Sequence, residues 1–184
     1  MQVRDLLPVA PVAWLILTVF GGSALAGPTH GFTRDTFSLY TPILGKFAIS
    51  NSNTSPIQDA SPRYGPYGNA GWLPVAGNYD ATGTDTVGLY NPVKGKFSIS
   101  NDESRPIDED ASLRYGPVGG PGWLPLVCNW DGTGADTAGL YNPQKGKFLI
   151  TNDEGAPLAN DAVMRFGPVG NAGWLPICGN WDGN

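Results

Sequence analysis

The chain is poor in the residue types that catalytic and nucleic-acid-binding sites most often require. It contains one histidine, His30, so a Ser-His-Asp arrangement with histidine as the base is hard to build. It has 11 lysine and arginine residues against 16 aspartate and glutamate residues, so the net charge is −5. Nucleic acid calls for a basic face, and anionic lipid attracts basic segments. We therefore expect a non-enzymatic protein with neither of these partners.

The chain also lacks a helical hydrophobic period. It has instead 26 glycines, 17 prolines and 20 aromatic residues, namely 6 Trp, 7 Tyr and 7 Phe. Many turn residues combined with many aromatic residues are typical of an all-β protein with short strands. The composition therefore predicts an all-β fold.

Five short motifs each occur three times along the chain. Their first residues are Asp-Thr at 35, 85 and 136; Leu-Tyr at 39, 89 and 140; Gly-Lys-Phe at 45, 95 and 146; Arg-aromatic-Gly-Pro at 63, 114 and 165; and Gly-Trp-Leu-Pro at 71, 122 and 173. The Asp-Thr spacings are 50 and 51 residues. A fixed period of this size predicts one supersecondary unit stacked several times. We place three repeats near 35–84, 85–135 and 136–184.

Each repeat contains the pattern of four short strands. In the middle of the chain, candidate strands lie at 72–78, 85–90, 96–100 and 111–115, separated by loops rich in glycine, proline and asparagine. Four short antiparallel strands in roughly 50 residues are typical of a β-propeller blade. The prediction is a β-propeller built of four-stranded blades, with three repeats in this chain.

Three blades are fewer than the four to eight of most propellers. The first repeat starts near its second strand, and the chain stops after a first strand, so the last strand could complete the first unit. Two interpretations remain open. The chain is a homo-oligomer in which, for example, two copies complete a six-bladed ring, or it is a fragment of a longer array.

The first 26 residues differ in composition from the repeats. Arg4 precedes an apolar run from residue 6 to residue 20, and Ala24-Leu25-Ala26 fits the small-x-small rule for cleavage. This pattern predicts a signal peptide at 1–26 and a secreted, extracellular repeat domain at 27–184, with no membrane span after cleavage. An uncleaved anchor is the alternative. His30 lies beside the cleavage site, in a linker.

The two cysteines lie in equivalent strands of the second and third repeats, but one residue out of phase. Cys178 aligns with Val127, and Cys128 aligns with Gly77. Side chains one residue apart along a strand point to opposite faces, so a disulfide between them is disfavoured. We expect two small buried residues instead.

Two loops carry oxygen side chains at alternate positions, then a glycine, then an aspartate. They span 78–86 and 129–137. Calcium takes six to eight oxygen ligands from a chain that bends around it. The alternative is that these side chains bond their own turn backbone, as Asx-turns do.

The loops, the Asp-Thr-x-Gly-Leu-Tyr strand and the repeat length resemble the FG-GAP/VCBS-type, integrin-like β-propeller repeats of secreted bacterial proteins, over essentially all of 27–184. In that family the loop is roughly Asp-x-Asp-Gly-Asp-Gly-x-x-Asp and binds calcium. The resemblance implies eight ligands: Asn78, Asp80, Thr82, Asp85, Asn129, Asp131, Thr133 and Asp136. Asparagine and threonine replace two acids in each loop, and the closing acid comes one residue early. Binding is therefore expected to be weak, about 10⁻⁴–10⁻³ M.

Aromatic residues recur at two positions of the repeat. Trp72, Trp123 and Trp174 adjoin buried strands, and we expect them to pack between repeats. The loop residues Tyr79, Trp130 and Trp181 are candidate ligand-binding residues, because aromatic faces stack on sugars and repeated weak sites gain avidity.

The expected function is a secreted adhesion or recognition module for a glycan or an extracellular protein. The alternatives are an oligomeric carbohydrate-binding lectin, as the fungal lectins among integrin-like propellers suggest, and an accessory domain or fragment of a secreted hydrolase.

Overall fold

The computed structural model describes residues 36–52, 54, 58–68, 71–102, 109–118, 122–153, 160–170 and 173–179. The predicted signal peptide and Trp181 lie outside this part of the chain. The strands are β1 (Phe37–Thr41), β2 (Lys46–Ser50), β3 (Leu73–Gly77), β4 (Thr86–Asn91), β5 (Lys96–Ile99), β6 (Ala111–Arg114), β7 (Leu124–Cys128), β8 (Thr137–Asn142), β9 (Lys147–Ile150) and β10 (Ala162–Arg165). No described residue is helical, so this part holds no helix able to cross a membrane. The prediction of an all-β fold is confirmed for these residues.

The strands form three antiparallel sheets that follow the chain order. Each four-stranded sheet begins one strand before an Asp-Thr motif, so from here on the repeats are counted by sheet: the first is 36–72, the second 73–123 and the third 124–174. The second repeat gives a four-stranded sheet in the order β3-β4-β5-β6, and the third gives β7-β8-β9-β10. The first repeat contributes β1 and β2, with single bridges continuing the sheet at Arg63 and Ala60. Among the described residues these sheets do not close into a ring, so the propeller stays a prediction.

The two four-stranded sheets share one register. Leu73 lies opposite Tyr90 in the second repeat, and Leu124 lies opposite Tyr141 in the third. Each following hairpin turn is held by an asparagine whose Oδ1 accepts the backbone N–H of a lysine three residues later, at 3.0 Å for both Asn91 and Asn142. The same turn chemistry therefore sets the same strand pairing in both repeats.

Strand β4 is buried along its whole length, as is the equivalent strand β8. Successive side chains of a strand point to opposite faces. Val87 and Leu89 belong to an apolar cluster with residues of the first repeat. Tyr90 belongs to a second cluster with residues of the third repeat. The second repeat thus lies between the other two, sheet against sheet.

The expectation that the cysteines stay unpaired is wrong, because Cys128 and Cys178 form a disulfide with their Cα atoms 6.6 Å apart. Side chains on opposite faces diverge only when the two strands belong to one sheet. When equivalent strands of successive repeats lie side by side in stacked sheets, the far face of one meets the near face of the next. The same contact occurs one repeat earlier, where a Cβ added to Gly77 would lie 2.5 Å from Val127 Cγ1.

Candidate functional site

The loop between β3 and β4 and the loop between β7 and β8 contain the same exposed turn. Thr82 donates its backbone N–H to Asp80 Oδ1 at 3.0 Å, and its hydroxyl to the same atom at 2.7 Å. In the next repeat, the backbone N–H of Thr133 donates to Asp131 Oδ1 at 2.9 Å. Each aspartate therefore closes an Asx-type turn.

These turn bonds affect the charge of Asp80. The hydrogen bond from the Thr82 side chain, followed by that from its backbone N–H, lowers the pKa of the Asp80 carboxyl below its usual range. Hydrogen bonds to the ionised form have this effect. Asp80 is therefore an exposed anion at neutral pH.

The first predicted ligand position of each loop holds a buried oxygen that lacks a hydrogen bond in the described structure. Oδ1 of Asn78 and Oδ1 of Asn129 are both buried, and neither has a partner within the described structure. Buried acceptors without a protein partner are uncommon, and many of them bind an ion or an ordered water. Because equivalent atoms of two repeats share this feature, it is a property of the repeated loop and not of one asparagine.

Asp136 reaches back to the preceding repeat. Its Oδ2 accepts the backbone N–H of Asn78 at 2.9 Å, and its own N–H donates to the carbonyl of Asn78 at 2.8 Å. Burial raises the pKa of the Asp136 carboxyl, and the bond from Asn78 opposes this shift. Asp136 therefore ties its own strand to the loop of the preceding repeat.

The structure thus brings together only part of each predicted ligand set. Asp80 lies with Thr82, and Asp131 lies with Thr133. Asp136, predicted as a ligand of the second loop, contacts Asn78 of the first loop, and Asp85 is exposed. Among the described residues, no group of three or more His, Cys, Asp or Glu side chains is placed to hold a metal.

The Asn78–Asp136 pair does not emerge from the sequence motifs. The feature of the sequence that could have indicated this pair is the aspartate that recurs at the start of the second strand of each repeat. The loop pattern instead predicts that this aspartate binds within its own loop. A cavity of about 20 Å³ lies beside Asp136 and is also lined by Tyr79, Phe97 and Val127. A space of this size has room for one water molecule.

The loop aromatic residues pack inward against the glycine of the neighbouring strand. A Cβ added to Gly88 would lie 2.6 Å from the Tyr79 hydroxyl oxygen, and one added to Gly139 would lie 2.6 Å from the Trp130 ring. The Trp130 indole N–H donates to the carbonyl of Thr137 at 3.2 Å. Both side chains are half-buried, so a ligand would contact only their remaining exposed surface.

The tryptophans of the Gly-Trp-Leu-Pro motif differ in their surroundings. Trp123 is buried in the cluster between the second and third repeats, and Trp72 packs on the cluster between the first and second. These two lie between repeats, as expected. For Trp174 the expectation is wrong, because this side chain is 53% exposed.

A scan against protein-family models, a search of curated proteins and a search of solved structures each found no match for this chain. The similarity to FG-GAP/VCBS-type repeats stays a prediction from the motifs.

Proposed function

We propose that the chain is a secreted, non-enzymatic β-propeller repeat module for adhesion or ligand recognition, with weak calcium sites in its two complete loops. One observation carries the proposal. In both loops an unpaired buried asparagine oxygen, from Asn78 or Asn129, comes two residues before an exposed aspartate, Asp80 or Asp131. Two such loops on neighbouring sheets form a repeated surface, and repeated weak sites gain avidity.

The disulfide between Cys128 and Cys178 supports export. Disulfides persist in oxidising compartments and are rare in the reducing cytosol. A covalent link between the segments 124–128 and 173–179 suits a module that works outside the cell.

Calcium would be held by Asn78, Asp80 and Thr82 in one loop and by Asn129, Asp131 and Thr133 in the other. The ion would satisfy the asparagine oxygen and neutralise the exposed carboxylate, fixing the loop for ligand contact. One carboxylate per loop gives few charges, so the expected affinity is in the range of about 10⁻⁴–10⁻³ M.

The test is thermal unfolding during calcium titration, with magnesium and EDTA as references. At 100 times the dissociation constant, a single site stabilises the native state by about 2.7 kcal/mol. We expect a saturable, calcium-specific rise in melting temperature that is lost in the double variant Asp80→Asn/Asp131→Asn. Asparagine keeps Oδ1 as the acceptor for the turn, so the variant changes loop charge more than loop shape.

The double variant Asp59→Asn/Asp110→Asn is the matched control. These aspartates also accept a backbone N–H, from Asn51 and Asn101, but lie away from the two loops. The control should keep the full calcium response. An equal loss of response in both double variants, or no shift at any calcium concentration, would reduce the loops to plain turns.

Ligand recognition itself is tested by probing a glycan array with the protein in calcium and in EDTA. Calcium-dependent binding that the Asp80→Asn/Asp131→Asn variant loses would place the ligand at the loops and favour the lectin alternative. Glycan binding that this variant retains would contradict recognition through the loops.

A further inference from the structure

The two junctions between repeats are built from the same positions. The trailing side of a junction comes from the earlier repeat, and its members are Phe47, Ile49, Tyr64 and Trp72 at the first junction and Phe97, Ile99, Leu113, Tyr115 and Trp123 at the second. The leading side comes from the second strand of the later repeat, with Val87 and Leu89 at the first junction and Ala138 and Leu140 at the second. Each repeat therefore has one trailing and one leading face.

The trailing face of the third repeat is exposed in its outer part, which is formed by Met164, Phe166, Gly167 and Trp174, at the positions of Leu113, Tyr115, Gly116 and Trp123. Its inner part, formed by Phe148 and Ile150 at the positions of Phe97 and Ile99, is half-buried. Phe166 is 78% exposed, whereas Tyr115 is 4% exposed, and Trp174 is far more exposed than the buried Trp123.

The leading face of the first repeat is uncovered as well. It is formed by Phe37 and Leu39 of β1. Leu39 is 45% exposed, whereas Leu89 and Leu140, at the equivalent positions of the other repeats, are both 0% exposed. The described part of the chain thus exposes one leading face and one trailing face, and at the two junctions between repeats a leading face packs against a trailing face.

Glycine makes the fit of these faces specific. A Cβ added to Gly65 would lie 2.4 Å from Leu89 Cδ1, and one added to Gly116 would lie 2.3 Å from Leu140 Cδ1. At the equivalent Gly167, the only neighbour of an added Cβ within 4 Å, among the described residues, is the Tyr141 hydroxyl oxygen at 3.2 Å. The trailing face of the third repeat therefore has the glycine against which a leucine packs at the other two junctions, but no described leucine contacts it.

The sheet edges show the same relation. The segment 173–179 repeats the sequence of β3 and β7 and is linked to β7 through the disulfide. Its Leu175 and Ile177 are exposed. Among the described residues, β1 pairs only with β2, whereas β4 and β8 pair on both edges. Within the described part of the chain, β1 has no neighbour equivalent to β3 or β7, and segment 173–179 has the sequence of such a strand.

We propose that the partner of these surfaces is a second copy of this chain, bound head to tail. The trailing face and segment 173–179 of one copy cover the leading face of the other and the edge of its β1 that faces away from β2. Leu39 packs on Gly167, and the register of Leu73 opposite Tyr90 places Leu175 opposite Tyr40 of the second copy. Two such contacts close a ring of six repeats, a number common in propellers, and a closed heterologous contact leaves no free edge.

The test is the mass in solution, by sedimentation equilibrium over a range of concentrations, of protein from a full-length gene expressed in a secreting host. We expect twice the chain mass. Leu39→Asp, on the leading face, and Phe166→Asp, on the trailing face, should each weaken self-association by about 100-fold or more, because a carboxylate would be buried without a partner. Val93→Asp is the control, since Val93 is an exposed turn residue outside both faces. Both test positions are exposed within one copy, so circular dichroism should show the fold unchanged.

Mixing the two face variants tests the head-to-tail arrangement directly. The Leu39→Asp copy keeps its trailing face, and the Phe166→Asp copy keeps its leading face, so an equimolar mixture should recover a dimer with one contact. A monomer at all concentrations would overturn the proposal. A dimer that one variant leaves intact, or variants that fail to complement, would overturn it by indicating a symmetric contact or a different surface.

Discussion

The substitution Gly116→Ala tests whether face-to-face packing of the second and third repeats stabilises the fold. Gly116 has a φ of +98° and lies against Leu140, whose Cδ1 would be 2.3 Å from the new methyl group. Two costs follow from this geometry, one from the backbone and one from the contact.

Both costs have known sizes. An alanine forced to a positive φ costs about 1–2 kcal/mol, and an extra methyl group in a packed core costs about 1–3 kcal/mol. The free energy of unfolding should therefore fall by about 2–5 kcal/mol in Gly116→Ala. Gly122→Ala is the matched control, because Gly122 also has a φ of +98° but has no described atom within 4 Å of an added Cβ.

The assay is urea unfolding at one fixed protein concentration, followed by tryptophan fluorescence and circular dichroism. Gly122→Ala should show the backbone cost alone. The difference between the two variants measures the clash with Leu140, and a difference near zero would mean that the repeats do not pack as the structure shows.

A double-mutant cycle makes the test sharper. Leu140→Ala alone should cost about 2–5 kcal/mol, since Leu140 is fully buried. In Gly116→Ala/Leu140→Ala the clash is removed, so the combined cost should be smaller than the sum by about 1–3 kcal/mol. Gly122→Ala/Leu140→Ala should be additive. Additivity in both double variants would refute the contact between Gly116 and Leu140.

Two further predictions concern the links between repeats. Asp136→Asn keeps an acceptor for the Asn78 N–H, whereas Asp136→Ala leaves that donor unpaired and should cost about 1–3 kcal/mol more in urea unfolding. Because the folded-state pKa of Asp136 is raised above 3.8, the unfolding free energy of the wild type relative to Asp136→Asn should rise as pH falls from neutral toward 3.8; a flat or opposite trend would contradict the burial of its charge. For the disulfide, no thiol should react in denatured, unreduced protein, and reduction should lower the free energy of unfolding by up to about 4 kcal/mol, from a closed loop of about 50 residues; a reactive thiol before reduction would exclude the Cys128–Cys178 bond.

The strands of the middle repeat were predictable because turn residues mark their ends. Asn91-Pro92 and Gly95 separate β4 from β5, and the observed strands lie within two residues of the predicted ones. The alternation of polar and apolar residues was clear in β5 but weak in β4. The structure gives the reason, since a strand buried on both faces needs no polar side.

The side-by-side arrangement of successive repeats was harder to derive. It decides the cysteine pairing, because opposite faces of equivalent strands meet only if the strands lie in neighbouring stacked sheets. Taken by itself, the alternation of side chains along a strand assigns Cys128 and Cys178 to opposite faces of equivalent strands. The positions equivalent to them, Gly77 and Val127, pack together in the structure, so the disulfide lies where the previous repeat has an apolar contact.

The same stacking explains why the Asp-Thr motif is hard to interpret from one repeat alone. Asp136 follows its own loop in sequence, which assigns it to that loop as a closing ligand. In the structure, its carboxylate and backbone N–H both bond Asn78 of the preceding repeat. Asp136 therefore holds two repeats together at the point where its strand starts. If calcium binds, Asn78 has two roles. Its backbone bonds Asp136 across the junction between repeats, and its side-chain oxygen, which has no partner in the described structure, is free to bind the ion. Loss of the Asp136 bond should then weaken calcium binding in the loop of the preceding repeat more than in its own.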